Sequence, residues 1–243
     1  DMIRETDFLD LLGLHAHIGS QIFDVAAYRH LAELFVDLSE QWNFQPKVLD
    51  FGGGFGIQYT EADDPLPYGE FIHNICDALK NATKRTGLKM PEVWIEPGRS
   101  IVGPAGYSFY SVGSRKDIPG LRSYLAVDGG MGDNIRPALY QADYRAVLAR
   151  EVKFDPKNGQ TVALVGKYCE SGDVLIPKTS LPPTKIGDLV VLLDTGAYGY
   201  SMASNYNRNP RPGIVFVNGS RSDLVVKPET YQDITHLDLD YEV

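Results

Sequence analysis

A parallel α/β unit followed by an antiparallel β unit is the architecture this sequence predicts, and three observations predict it. Three apolar, strand-like runs alternate with two amphipathic segments before Gly103-Pro104. Each run closes on a polar or glycine-rich cluster. From about Ala105 the texture changes to short β-rich runs. Buried-type strands separated by amphipathic helices read as parallel βα units. Clusters at the C-terminal ends of such strands lie where α/β folds bind their ligands.

Taken in order, Leu11 to Ile18 is the first strand and ends in Gly19-Ser20. Ala26 to Trp42 carries Leu31, Leu34, Phe35 and Leu38 at helical spacing. Lys47 to Phe51 is the second strand and runs into Gly52-Gly53-Gly54. The next helix spans about Tyr68 to Arg85, with Phe71, Ile72, Ile75 and Leu79 on one face and Gly87 where a terminating glycine belongs. Glu92 to Glu96 is the third strand and leads into Pro97-Gly98-Arg99. Beyond the boundary, Tyr107–Val112, Ser123–Val127, Arg145–Phe154, Thr161–Val165 and Leu189–Leu193 read as strands. Val215 to Ser220 and Asp223 to Val226 read as a hairpin on an Asn-Gly turn. These runs predict an antiparallel sandwich or barrel over 105–243, after an α/β unit over 1–104.

Composition excludes several classes. At 43% hydrophobic and 23% charged residues, the 243-residue chain has the content of a packed globule rather than of a disordered one. A net charge of −9 with no Lys/Arg cluster argues against nucleic acid and anionic membranes as partners. No apolar run approaches the ~18–20 residues of a membrane helix. Asp1 to Glu5 shows no secretory leader, and Cys76 and Cys169 alone make no disulfide framework, so a cytoplasmic setting is expected.

The strand-end clusters carry the chemistry. Glycines such as Gly52, Gly53 and Gly54 let successive backbone N–H groups wrap an anion, although a glycine run by itself reads equally as a flexible loop. His17-Ile18-Gly19-Ser20 offers a ring and a hydroxyl to a flat ligand; the plainer reading of His17 is a core histidine. His15 points the same way, so a two-histidine metal site is conceivable, but it lacks a visible third ligand. Glu96 and Arg99 suit a cation and an anion respectively, or form a surface salt bridge. Cys169, in the polar loop Cys169-Glu170-Ser171-Gly172-Asp173, is placed to act as an acid, whereas Cys76 beside a helix face is packing. Tyr198 in Gly196-Ala197-Tyr198, with Arg136 and Tyr140 further upstream, offers further donors to a phosphate or carboxylate.

Together these motifs resemble a known family. His17-Ile18-Gly19-Ser20-Gln21, Asp50-Phe51-Gly52-Gly53-Gly54-Phe55-Gly56, Glu96-Pro97-Gly98-Arg99, Cys169-Glu170-Ser171-Gly172-Asp173 and Gly196-Ala197-Tyr198 occur in the order found in alanine-racemase-fold (fold-type III) pyridoxal-5′-phosphate (PLP) decarboxylases. The form of the Cys169 motif resembles the branch acting on diaminopimelate; the ornithine and arginine branches carry a different tetrad after the cysteine. The resemblance implies that 1–104 is the last three βα units of a (β/α)8 TIM barrel that binds PLP. It also implies that 105–243 is a β domain serving dimerisation and completing the active site. His17 would stack on the pyridine ring and Glu96 would pair with its nitrogen. Ser20, Gly52, Gly53 and Gly54 would hold the phosphate with Tyr198. Arg99, Arg136 and Tyr140 would bind phosphate or the far end of the substrate. Cys169 and Glu170 would enter the partner's site across a homodimer, the first as proton donor and the second facing the distal ammonium. No metal is implied.

The resemblance also exposes a gap. The family's cofactor lysine lies in a Tyr-Ala-x-Lys-like motif on the first barrel strand, and no such motif occurs in the sequence. Lys47 starts its strand and therefore lies at the wrong end. A (β/α)8 barrel takes ~250 residues, so roughly five βα units are expected upstream, and the chain reads as an inactive piece of a decarboxylase that makes L-lysine. Three rivals remain. One is a related decarboxylase of arginine, ornithine or carboxynorspermidine. The others are a non-catalytic module and a metal hydrolase using His15 and His17.

Overall fold

The computed structural model describes Ile3 and residues 5–241, so Asp1, Met2 and Arg4 of the stretch read for a leader lie outside the described residues. The chain divides into two compact units, Asp1–Gly103 and Pro104–Val243.

The first unit runs β1 (Gly13–His15), α1 (Ala26–Gln41), β2 (Val48–Asp50), α2 (Tyr68–Thr86), β3 (Glu92–Trp94) and a short helix α3 (Arg99–Val102). The strands form a parallel sheet in the order β1-β2-β3. Leu14, Leu49 and Val93 share one register row. That row packs into the core formed by Tyr28, Leu31, Phe35, Phe71, Ile75 and Leu79 of the two helices. Side chains alternate along a strand, so the next row, His15, Asp50 and Trp94, faces away from the helices.

The helices follow the expected spacing, with one exception. Leu34 is 43% exposed, and the buried stripe of α1 runs through Tyr28, Leu31, Ala32, Phe35, Val36 and Ser39 instead. Ser39 is tolerated there because its hydroxyl donates to the Phe35 carbonyl (2.7 Å). Helix α2 stops at Gly87, whose φ of +77° costs a glycine little and whose N–H reaches the Thr83 carbonyl at 2.9 Å. The strands are shorter than the apolar runs that announced them. Only β2 is flanked on both sides and buried, whereas β3 is a sheet edge with Trp94 51% exposed.

The second unit contains β4 (Ser108–Ile118), β5 (Arg122–Val127), α4 (Arg136–Tyr140), β6 (Ala146–Leu148), β7 (Gln160–Val165), β8 (Val174–Leu181), β9 (Leu189–Leu192), β10 (Ile214–Asn218), β11 (Arg221–Val226) and α5 (Tyr231–Thr235). Six strands form one sheet in the order β6-β9-β4-β5-β7-β8, which curls until β6 approaches β8. Two features depart from the sequence expectation. The β5–β7 pair is parallel, so the sheet is mixed rather than wholly antiparallel. Strand β8 went unrecognised because Pro177 interrupts it; the strand lies at the end of the sheet order, and its register to β7 shifts around that proline. Strand β4 serves both halves of the sheet, pairing with β9 over Ser108–Ser111 and with β5 from Val112 onward, with a register shift at Gly113.

Strands β10 and β11 form a separate hairpin. Asn218 pairs with Arg221, so Gly219-Ser220 is the two-residue loop and Asn218 is a strand end rather than a central turn residue. Of the two loop residues only Gly219 has positive φ (+60°), the pattern of a type II′ turn. Among the described residues no helix is long and apolar enough to cross a membrane.

Candidate cofactor and substrate site

The three strands of the first unit deliver their following loops to one edge. After β1 the chain passes His17 and turns at Gly19 (φ +145°). After β2 come Gly52 (φ +63°) and Gly54 (φ +96°). A Cβ on Gly54 would lie 2.3 Å from the Gly19 carbonyl oxygen, and one on Gly53 would lie 2.3 Å from that of Glu96. The three loops interlock too closely for any other residue type. Asp50 Oδ1 accepts the Gly52 N–H at 2.9 Å, and the Glu96 N–H donates to the Gly52 carbonyl at 2.8 Å. The core reaches the same loop: Tyr28 on α1 donates its hydroxyl to the Gly53 carbonyl at 2.8 Å. Burial pushes that phenol up to about 12, so it stays a donor at any physiological pH.

Around this cradle the expected residues of the first unit are brought together. His17 accepts the Gly53 N–H on Nδ1 at 3.2 Å, which fixes its exposed ring beside the glycines. Arg99 donates from Nη2 to Ser20 Oγ (2.9 Å) and from Nη1 to the Tyr59 hydroxyl (2.6 Å), with its guanidinium 5.6 Å from the Tyr59 ring centre. A cation, a hydroxyl and a glycine turn therefore meet at one place, which is the donor set a phosphate dianion requires.

Glu96 lies on the same edge with Oε2 3.3 Å from His15 Nε2. Asp50 joins them, and the ligand-type atoms of His15, Asp50 and Glu96 all lie within 4.8 Å of one another. His17 is not part of this group, so the two-histidine metal site is not what the strands build. The third partner was invisible in the sequence because Asp50 ends β2 and Glu96 follows β3. The combined set fits a ring with an anionic phosphate at one end and a protonatable nitrogen elsewhere.

The lysines of the first unit lie away from this edge. Lys47 precedes β2 and pairs with Asp10 (3.1 Å) upstream of β1, Lys80 and Lys84 belong to α2, and Lys89 follows that helix.

In the second unit, Arg136 opens α4 and is buried, donating to the Tyr144 hydroxyl at 2.5 Å. Tyr140 and Tyr198 are exposed, and Tyr198 holds the left-handed backbone (φ +60°) that is rare outside glycine. Cys169 is a free, exposed thiol, and Cys76 is half-buried on α2. Glu170 accepts a hydrogen bond on Oε1 from the Tyr206 hydroxyl. Asp173, at the end of the same motif, is scaffold. Its carboxylate accepts the N–H groups of Met131 (2.7 Å) and Tyr168 (2.8 Å), tying the cysteine loop to the loop before α4. Burial raises the Asp173 carboxyl above its ordinary range, against the pull of those two N–H groups. Gly130 and Gly166 make room for it, because a Cβ on either would approach its oxygens to 2.4 or 2.2 Å.

Four residues here have contacts that the sequence reading did not assign. His15, seen only as a metal ligand, contacts Glu96; Tyr59 supports Arg99; Asp173 braces the cysteine loop; Tyr206 contacts Glu170. Only Asp173 carried a signal, its place in a recognised motif.

The chain is similar to known proteins in sequence and in fold. A family profile described as the pyridoxal-binding domain of pyridoxal-dependent decarboxylases matches residues 2–103. Diaminopimelate decarboxylase of Bacillus subtilis (strain 168) is 52% identical over 246 residues, covering 100% of this chain and 56% of that protein. The crystal structure of diaminopimelate decarboxylase from m. jannaschii in co-complex with L-lysine superposes with a TM-score of 0.90 at 30% identity over 99% of this chain and 54% of that one. Lysine/ornithine decarboxylase of Vibrio vulnificus, complexed with putrescine, matches less closely, with a TM-score of 0.69 at 26% identity over 84% of this chain. The chain spans about half the length of the curated relatives it matches.

Proposed function

We propose that the chain, whose residues 2–103 match the pyridoxal-binding domain of pyridoxal-dependent decarboxylases, is part of an enzyme of that family that decarboxylates meso-2,6-diaminopimelate to L-lysine and CO2 with PLP. The observation that carries this reading is the shared edge where Ser20, Arg99, the triple glycine, His17 and Glu96 meet. In the same reading the first unit is the last three βα units of a TIM barrel and the second is the β domain of a homodimer.

Each residue then has a task. Ser20, Arg99 and the Gly54 N–H bind the cofactor phosphate, with Tyr198 as a further donor, while Gly52 and Gly53, whose N–H groups go to Asp50 and His17, shape the loop. His17, pinned to Gly53, covers one face of the ring. Glu96, held by His15, sets a negative charge against the ring nitrogen and favours its protonated form. Bound PLP supplies an electron sink for the pair left on Cα when the Cα–carboxylate bond breaks. Cys169 delivers the proton that Cα needs once CO2 has left. Glu170 faces the distal ammonium, and Arg136 and Tyr140 serve the distal carboxylate. Charges matched at the far end select the substrate, since mispaired ones are costly. Two free cysteines suit a reducing cytoplasm.

The test is CO2 release from diaminopimelate, arginine, ornithine and carboxynorspermidine. The complete enzyme containing this segment should release it from diaminopimelate with PLP. The 243-residue chain alone should release none, since the lysines of its first unit lie away from the cofactor edge. Preference for another of those amino acids by the complete enzyme would replace the substrate proposed, and turnover by the chain alone would overturn the cofactor argument.

A further inference from the structure

We propose that Tyr206 is a positioning residue that sets Glu170 for the substrate's distal ammonium, and that the C-terminal segment around Glu229 and Asp238 holds Tyr206 in place. The proposal rests on the role given to Glu170 above. Tyr206 donates its hydroxyl to Oε1 of Glu170, which leaves Oε2 free to accept another donor. A phenol orients the carboxylate without cancelling its charge, as an arginine or lysine would. Among the described residues Glu170 makes no ion pair, so its charge remains available to a cation from outside the chain. The Tyr206 ring packs against Tyr168, centres 5.7 Å apart, and Tyr168 directly precedes Cys169. The tyrosine thus travels with the whole motif wherever Cys169 and Glu170 act. The hydrogen bond to Glu170 also raises the Tyr206 phenol above its ordinary value, which keeps it a donor.

The loop that presents Tyr206 is strained and externally braced. Asn207 and Arg208, the next two residues, both hold positive φ (52° and 55°). Such conformations persist only where the surroundings over-determine them. Asn205 Nδ2 donates to Glu229 Oε2 at 2.5 Å. Arg211 reaches Glu229 Oε1 from Nε (2.8 Å) and Nη2 (2.5 Å), and its backbone N–H reaches Oε2 at 2.8 Å. Arg208 clamps both oxygens of Asp238 at 2.7 and 2.5 Å. Tyr206 is therefore flanked on both sides by anchors drawn from a segment more than a dozen residues downstream.

The experiment is a double-mutant cycle in the complete PLP-loaded enzyme, using Glu170→Gln, Tyr206→Phe and both together. Each variant is measured on diaminopimelate and on 2-aminopimelate, which lacks the distal ammonium. Tyr206→Phe should lower the ratio of kcat/KM for the two substrates about tenfold, through the KM for diaminopimelate, as expected for loss of a hydrogen bond to a charged group. In the Glu170→Gln background the same change should alter that ratio less than about twofold. Glu229→Gln, which loosens the loop and leaves Tyr206 itself intact, should lower the ratio in the same direction. If Glu170→Gln lowers the ratio while Tyr206→Phe and Glu229→Gln do not, or if the effects simply add, the positioning role is overturned and the role of Glu170 stands. If Glu170→Gln leaves the ratio unchanged, both fall together.

Discussion

Gly54 shows how much of this site is decided atom by atom. Its φ of +96° lies where only glycine is comfortable, and an added Cβ would sit 2.3 Å from the Gly19 carbonyl. Gly54→Ala should therefore cost about 1–3 kcal/mol of backbone strain, besides the clash, and push the β1 loop away from the β2 loop. The measurement is the melting temperature of the chain together with PLP affinity of the complete enzyme by absorbance; both should fall. Unchanged PLP affinity would mean that the cradle does not hold the phosphate. His15 makes a related point. Its spacing from His17 suggested a metal pair, but its imidazole meets Glu96 from beyond β3, a contact that depends on strand order rather than on spacing.

At the scale of elements, the register row Leu14–Leu49–Val93 determines which residues face the helices and which face the ligand edge. Phe71 of α2 is fully buried against Tyr28 (5.6 Å between ring centres) and Phe55 (5.1 Å). Phe71→Ala should cost about 3–5 kcal/mol, seen as a lower denaturant midpoint. Because Tyr28 bonds the Gly53 carbonyl, the cavity should also loosen the glycine cradle, which hydrogen exchange at the β2 loop can report. In the second unit the brace around Glu229 is pH-dependent. The Arg211 guanidinium, the Arg211 N–H and Asn205 hold its carboxyl down at about 2, below the ordinary 4.5. A depressed carboxyl stabilises the folded form fully above its unfolded value and loses that contribution as pH falls through the folded one. The difference in hydrogen-exchange protection of the 205–211 loop between wild type and Glu229→Gln should thus be present at neutral pH. It should shrink between about pH 4.5 and pH 2. A difference that persists to pH 2 would rule out the carboxylate as its source.

At the scale of the whole chain, two units with separate sheets carry the motifs, cofactor-edge residues in the first and the thiol, carboxylate and tyrosines in the second. The relatives matched along the full chain are about twice its length, and the proposed chemistry belongs to that complete enzyme. The parallel βα order, the helix ends at Tyr68 and Gly87, and the position of each motif at a strand end were legible in the sequence. Hydrophobic period and glycine placement are local properties, and local properties survive in one dimension. The long β4, the proline-broken β8 and the parallel β5–β7 pair were not legible. They rest on pairings between distant segments, and Pro177 erases the local strand signal.

By itself the sequence determined which chemical groups the molecule owns and at which strand ends they stand, because side-chain type and alternation along a strand need no partner. Only the tertiary structure decided what those groups touch: Glu96 with His15, Arg99 with Ser20 and Tyr59, Glu170 with Tyr206. Each of these pairs joins segments well separated along the chain, and their meeting depends on strand order and loop closure, which packing of the whole unit settles.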